Sequence, residues 1–538
     1  MKKRALQILF LLIIFFVGLA LPAPVRAADS PPGPDRFTSV MVDITLHQWW
    51  LSAWKDNEGS CSLWVEHAGL PTDDDVVIHC GQELYQQWKD QSKPCGEEDI
   101  NLCKGYYWLH VRDKAAQKEI PLALPEAKVW VSLENCEPDS GGWCTLPPRL
   151  ILTAEEPLPN YAITRIEGVA GTDKFQCEGA HCKFQLNATR PEGITLQFWA
   201  VSTYGDTSPL FEANVRVIST EHDDNSILSR WYVDVLSAQW TGKPNASCSQ
   251  SWQSFPPPDG LPLWLTTPEA SEQLASNLPY AYLAGNLISQ GAVDVEACVD
   301  GGLAQDGSVS ECGTLAARPA VAEWQNRFDT LIFDVAQQTE VPAQLLKNLF
   351  SRESQLWPGV FRESEDVGLG QLTEDGADTT LLWNPSFYKQ FCPLILGEDA
   401  CAGAGYAKLK ADQQALLRGA LVRSVDATCE NCPLGIDLTR ADFSVSVFAR
   451  TLLASCEQTG RILQNVTGKP AGQVASYEDL WRFTLVNYNA GPGCLGDAVQ
   501  VAAAASPDAL TWGNVSGIFS PTCQGTVPYV EAIAPPGP

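Results

Sequence analysis

The chain has six histidines, His47, His67, His79, His110, His181 and His222, and none lies beyond residue 222. That removes Ser-His-Asp and Cys-His triads and HExxH zinc sites from the C-terminal half. No Walker-type glycine loop occurs there either, so catalysis in that half must rest on carboxylates. Glu353 stands in the most unusual place. Thr339-Glu340-Val341-Pro342 predicts a helix start, with proline tolerated in the first turn, and Pro358 predicts its end. The apolar stripe of this helix is Leu345, Leu346, Leu349 and Phe350. Glu353 follows Phe350, Leu349 and Leu346 by three, four and seven residues, which puts it on their face. A carboxylate there loses water, its charged form is disfavoured and its pKa rises, which suits a general acid working near neutral pH. Periodicity alone is equally compatible with a helix-end Glu that reaches solvent past Leu356 and Trp357. Two-carboxylate glycosidases need a second acid across the bond. Glu363, Glu365, Asp366, Glu374 and Asp375 are the candidates, although most such residues simply form a solvated face. No metal-ligand cluster stands out, and the chemistry requires neither a metal nor a cofactor.

The elements that must position Glu353 belong to an exported chain. Lys2, Lys3 and Arg4 precede an apolar run from Leu6 to Leu21, and Val25-Arg26-Ala27 ends in small residues, the pattern of a signal peptide over residues 1–27, with an uncleaved membrane anchor as the alternative. The 18 cysteines suit an oxidising compartment. Eight lie between Cys61 and Cys182 and ten between Cys248 and Cys523, so pairing within domains divides the chain near residues 218–230. Cys429-Glu430-Asn431-Cys432 is expected to be a structural disulfide in preference to a redox motif. The expected localisation is extracellular or cell-wall associated, and periplasmic where an outer membrane exists. Residues 1–27 carry four positive charges and no acid, so their removal takes the net charge from −28 to −32. Such a surface repels phosphate backbones and excludes nucleic acid as the expected partner.

Alternating apolar residues predict strands through residues 39–217, among them Val40/Val42/Ile44, Val129/Val131 and Leu196 to Ala200. The expected fold class is multidomain, with N-terminal all-β sandwich-like domains followed by a mainly α, lysozyme-like domain. The expected divisions are a β domain over 35–146, an immunoglobulin-like sandwich over 147–218 and a linker over 219–231. A helical or irregular lead-in then covers 232–320, and the catalytic domain 321–534. The β domains are expected to serve as spacers or as contacts to proteins or the wall. Sugar stacking on their aromatics, such as Trp49, Trp50 and Trp108, is a lesser expectation.

Four ordered motifs sharpen the C-terminal half. Arg352-Glu353-Ser354-Gln355-Leu356-Trp357-Pro358 resembles the E-S-x-F-x-P segment of soluble lytic transglycosylases, a lysozyme-like family. Gly368-Leu369-Gly370-Gln371-Leu372 stands in place of its G-L-M-Q-L, with the Gln 18 residues after the Glu. Asn487-Tyr488-Asn489-Ala490-Gly491-Pro492-Gly493 resembles its A-Y-N-A-G-P-G, and Tyr529-Val530 its closing Y-V. The resemblance covers roughly residues 322–533. It implies that Glu353 is the acid/base and that Tyr488 hydrogen-bonds and positions it. It also implies that Gln371 and Asn489 line a groove for peptidoglycan glycan strands, with Asn489 near an N-acetyl group. Ser354 matches the Ser after the catalytic Glu, for a substrate-binding or packing role, and Gly491 is expected to cap a helix. The implied activity is non-hydrolytic cleavage of the N-acetylmuramic acid–N-acetylglucosamine bond to a 1,6-anhydro product. Three departures bear on the groove: Gly370 replaces a Met, which is expected to widen the groove or free the backbone, Asn487 replaces an Ala, and Arg362 a Ser. A lysozyme-like hydrolase and a non-catalytic wall-binding or adhesion protein with a degenerate groove are the alternatives.

Overall fold

The computed structural model describes residues 36–90, 103–136, 143–219, 230–242, 246–258, 260–359, 366–403 and 405–536. Residues 1–27, expected to form a signal peptide, lie outside them. Among the described residues no helix is long and apolar enough to cross a membrane. The chain divides into two units, one of residues 1–128, 154–165 and 200–209 and one of the remainder.

The first unit is built on β1 (Phe37–Ala53), β2 (Gly59–Val65) and β3 (Tyr106–Ala123), in the order β2-β1-β3. Both pairings are antiparallel. Only residues 47–52 of β1 pair with β2, so beyond them β1 and β3 continue as a two-stranded arm. Helices α1 (Asp73–Cys80) and α2 (Gln82–Asp90) follow β2, and a Cys61–Cys80 disulfide ties α1 to it. Trp88 packs on Trp108 and Trp54 on Tyr107, so these aromatics cover one another. Arg36 clamps this unit from its first described residue, with a two-pronged contact to Glu156 and a second to Asp206.

The second unit holds most of the later strands: β4 (Lys128–Glu134), β5 (Arg149–Glu155), β6 (Ile163–Ala170), β7 (Asp173–Glu178), β8 (His181–Gln185), β9 (Ile194–Ser202), β10 (Phe211–Ser219) and β11 (Trp231–Leu236). They form two sheets, β4-β5-β8 and β11-β10-β9-β6-β7. Alternate residues such as Leu150, Leu152, Leu196, Phe198, Val215 and Val217 are buried, the period-2 pattern of half-buried strands. Two expected boundaries fail here. β4 shares a sheet with β5 across the expected division at 146/147. β11 pairs with β10, so the chain beyond residue 230 returns to the sheet and does not open a helical lead-in. Strand pairing is non-local, and composition marks turns without revealing which strands a turn joins.

The third expected boundary also fails. Helix α5 (Glu311–Asn326) runs through 320/321, and one core takes in residues from both sides of it. Trp252, Trp264 and Leu283 pack in the same cluster as Leu349, Phe448 and Trp481. The Cys248–Cys456 disulfide and a 2.9 Å bond from Trp252 Nε1 to Cys456 O fasten the preceding segment onto the long helix Leu438–Thr467. Apolar area is buried wherever packing completes a core, and no local signal records that. Eight disulfides form wholly among the described residues, including Cys429–Cys432, and none of them joins the first eight cysteines to the last ten. Such bonds form in an oxidising environment.

Candidate active site

Helix α7 (Ala343–Glu353) carries the candidate acid as its last residue. Leu345, Leu346, Leu349 and Phe350 are fully buried, as their periodicity requires. Lys347 is buried too, donating to Gln325 O (2.6 Å) and pairing with Asp329. Burial pushes the Lys347 pKa down and that of Asp329 up, so this pair holds the helix at a cost in hydration.

The helix stops five residues before Pro358, for a reason unrelated to proline. Gln355 and Leu356 both adopt left-handed backbone, with φ of 51° and 64°. Each costs on the order of 1–2 kcal/mol for a non-glycine residue. Surrounding bonds hold them there. Gln355 Oε1 accepts from Tyr282 N (2.8 Å) and Leu283 N (3.1 Å), and Leu356 O accepts from Trp324 Nε1 (2.8 Å). Ser354, expected to bind substrate or to pack, is fully buried, and its hydroxyl donates to Leu369 O (2.7 Å). It therefore cannot touch a sugar; it fastens the end of α7 to the turn that carries Gln371.

That turn is closed by paired bonds between Val367 and Leu372, of 3.3 and 2.8 Å. A Cβ on Gly370 would come within 2.5 Å of the Phe448 ring. The missing side chain therefore does not widen a groove, because Phe448 already fills the space. Gln371 has a φ of 54° and donates through Nε2 to Gly368 O (2.8 Å), so the turn itself sets its side chain.

Around Glu353 the expected partner changes. The Tyr529 hydroxyl donates to Glu353 Oε1, whereas Tyr488 donates to Gly370 O at 2.5 Å. Tyr488 therefore does not hold the acid directly, as the resemblance implied; it braces the turn that bears Gln371. Tyr529 lies on helix α15 (Thr526–Ile533), counting the helices in chain order. Asn348 of α7 fixes that helix by donating to Ile533 O (3.0 Å), and Arg482 does so through Ala534 O (3.3 Å) and Pro535 O (3.1 Å). The closing Tyr-Val motif marked Tyr529 in the sequence without assigning it a role.

Glu353 keeps some accessible surface, yet enough protein surrounds its carboxyl to strip most of its hydration. That loss pushes its pKa up to about 7, against the Tyr529 bond and the nearby Arg352 charge, while Asp366 adds to the rise. Burial and the Glu353 charge likewise hold the Tyr488 and Tyr529 phenols well above their ordinary values, so both remain protonated donors. Among the described residues, Asp366 is the expected second carboxylate whose charge acts on Glu353. Glu363 and Glu365 fall outside the described residues, as do Arg362 and Ser364.

Gln371, Tyr488 and Asn489 line one cleft of about 490 Å³, together with Asp375 and Asn487. Glu353 is not among its described lining residues. Tyr488 connects the two, since it walls the cleft and also feels the Glu353 charge. Asn487 is buried and donates to Ser455 O (3.1 Å) and Gln458 Oε1 (3.0 Å), bridging two long helices. At Gly491, with a φ of 82°, the run Tyr477–Ala505 divides into two helices, so this glycine closes the first of them, as expected of a cap. A larger depression of about 710 Å³, lined by Gln338, Trp383 and Arg461 among others, contains none of the candidate residues. The arrangement can donate a proton near neutral pH from a poorly hydrated carboxylic acid beside two protonated phenols. No protein-family model matches this chain, and neither a curated protein nor a solved structure matches it.

Proposed function

We propose that the helical part of this chain is an exported peptidoglycan lytic transglycosylase. In this scheme Glu353 protonates the oxygen linking N-acetylmuramic acid to N-acetylglucosamine. The acetamido group stabilises the sugar cation at the broken bond. Glu353, now ionised, then removes the proton of the 6-hydroxyl, and that oxygen closes a 1,6-anhydro ring without water. Tyr529 positions the carboxyl, while Gln371, Tyr488 and Asn489 line the cleft offered to the glycan. The observation that carries the proposal is the Glu353 carboxyl, held by burial at a pKa of about 7 next to that cleft's Tyr488. A single group with that pKa can act as acid and then as base at neutral pH.

A second scheme draws on Asp366, whose charge acts on Glu353. A paired carboxylate could direct water and make the enzyme a hydrolase. Digestion of purified sacculi followed by product analysis separates the two. Anhydro-muramic ends are expected; reducing ends alone would assign the hydrolase, and an inert wild-type protein would leave only wall binding. Glu353→Gln should lower the rate by about 10²–10⁴-fold, the usual contribution of a positioned general acid.

A further inference from the structure

The arm of the first unit carries a second group of chemically capable side chains, unconnected with Glu353. His47, His110 and Asp113 offer ligand atoms that all lie within 4.8 Å of one another. His47 Nδ1 and His110 Nε2 both contact Asp113 Oδ1, each at 2.7 Å. Two imidazole nitrogens thus converge on one carboxylate oxygen.

An irregularity in the strands makes this convergence. β1 and β3 pair His47 with Asp113 and Gln48 with Arg112, but Trp49 with His110. Val111 has no opposite residue, which is a β-bulge. Directly opposed residues share a face of the sheet, and successive residues alternate between faces. His47 and Trp49 share a face of β1, so Asp113 and His110 share that face too, although they are three residues apart. With regular pairing Val111 would oppose Trp49, and His110 would point to the other side. Trp49 packs against the His110 ring, with centroids 5.0 Å apart, and supports its orientation. The side chains remain accessible, with 22% of His47, 41% of His110 and 52% of Asp113 exposed.

From this geometry we infer that His47, His110 and Asp113 form a binding site for a divalent transition-metal ion of the zinc or copper class. Two imidazoles and a carboxylate are the ligands such ions prefer. Ligand bonds of about 2.0–2.2 Å in a tetrahedral site set the donor atoms about 3.3 Å apart. The two 2.7 Å contacts therefore need to open by about 0.6 Å, and the two ring nitrogens, within 4.8 Å of each other, need to settle at the same spacing. Each ring then keeps its proton on the nitrogen facing away from the ion, and the fourth position is left to water or an incoming ligand.

Calorimetric titration of the metal-free, disulfide-intact chain with Zn(II) alone tests the site. One equivalent should bind saturably at micromolar concentration. His47→Ala, His110→Ala and Asp113→Ala should each weaken binding by about tenfold or more, with far-UV circular dichroism unchanged. His67→Ala serves as a control that removes another carboxylate-paired histidine and should bind as the wild type does. Absence of saturable uptake below about 1 mM, or unchanged affinity in any of the three ligand variants, overturns the assignment. So does a loss in His67→Ala equal to that in the ligand variants.

Discussion

The replacement Glu353→Gln tests the physical state of the acid independently of any substrate. Burial raises the carboxyl pKa from 4.5 to about 7. Between those values the native state holds a proton that the unfolded chain has released, so wild-type stability falls as pH rises through this window. Below pH 4.5 both states are protonated and the group contributes nothing pH-dependent. Above pH 7 the folded protein holds a poorly hydrated anion. At about 1.36 kcal/mol per pKa unit, the burden approaches about 3 kcal/mol, less whatever hydration the residue's residual exposure retains. Glutamine fills the same space, accepts the Tyr529 bond and carries no charge. The variant should therefore be more stable than the wild type by about 2–3 kcal/mol at pH 8 and nearly equal to it at pH 4. Urea unfolding followed at 222 nm, which reports the helical part, measures the difference at both values. Equal differences at pH 4 and pH 8, or a destabilised variant at pH 8, would refute the account of Glu353 as a desolvated acid.

Three other perturbations follow from the same contacts. Tyr529→Phe removes a donor that stabilises the Glu353 anion, so the alkaline limb of the pH–rate profile on sacculi should move upward by about one unit as activity falls. Gly370→Met restores the residue usual in the resembled family but drives it into Phe448; it should cost about 1–3 kcal/mol in denaturant unfolding, with partial recovery in the double variant carrying Phe448→Ala. Opening the Cys248–Cys456 disulfide with a double Ser substitution releases a link across 208 residues, which should cost about 2–5 kcal/mol and appear as a lower melting temperature by calorimetry.

Local periodicity was enough to put Glu353 on the apolar face of its helix, and motif order made it the candidate acid. A 3.6-residue repeat dictates which face a helical side chain joins, and a carboxylate placed among leucines must lose water wherever that helix is packed. Cysteine counts in the two halves likewise anticipated that the described disulfides would stay within each half. The partners were a different matter. Tyr529 reaches Glu353 across 176 residues of sequence and Tyr488 reaches Gly370 across 118, and no local pattern states which of two tyrosines will arrive. The fit of Phe448 against Gly370, the burial of Ser354 and the run of α5 through an expected boundary are all outcomes of packing between distant segments. So is the meeting of His47 with His110 and Asp113. Their spacing suggests no ligand set until the bulge at Val111 turns His110 to the other face of its strand. Sequence determined which side of its helix Glu353 joins, because that follows from short-range geometry. Only the tertiary structure decided what surrounds it, because contacts between remote segments are chosen by the packing of the whole core.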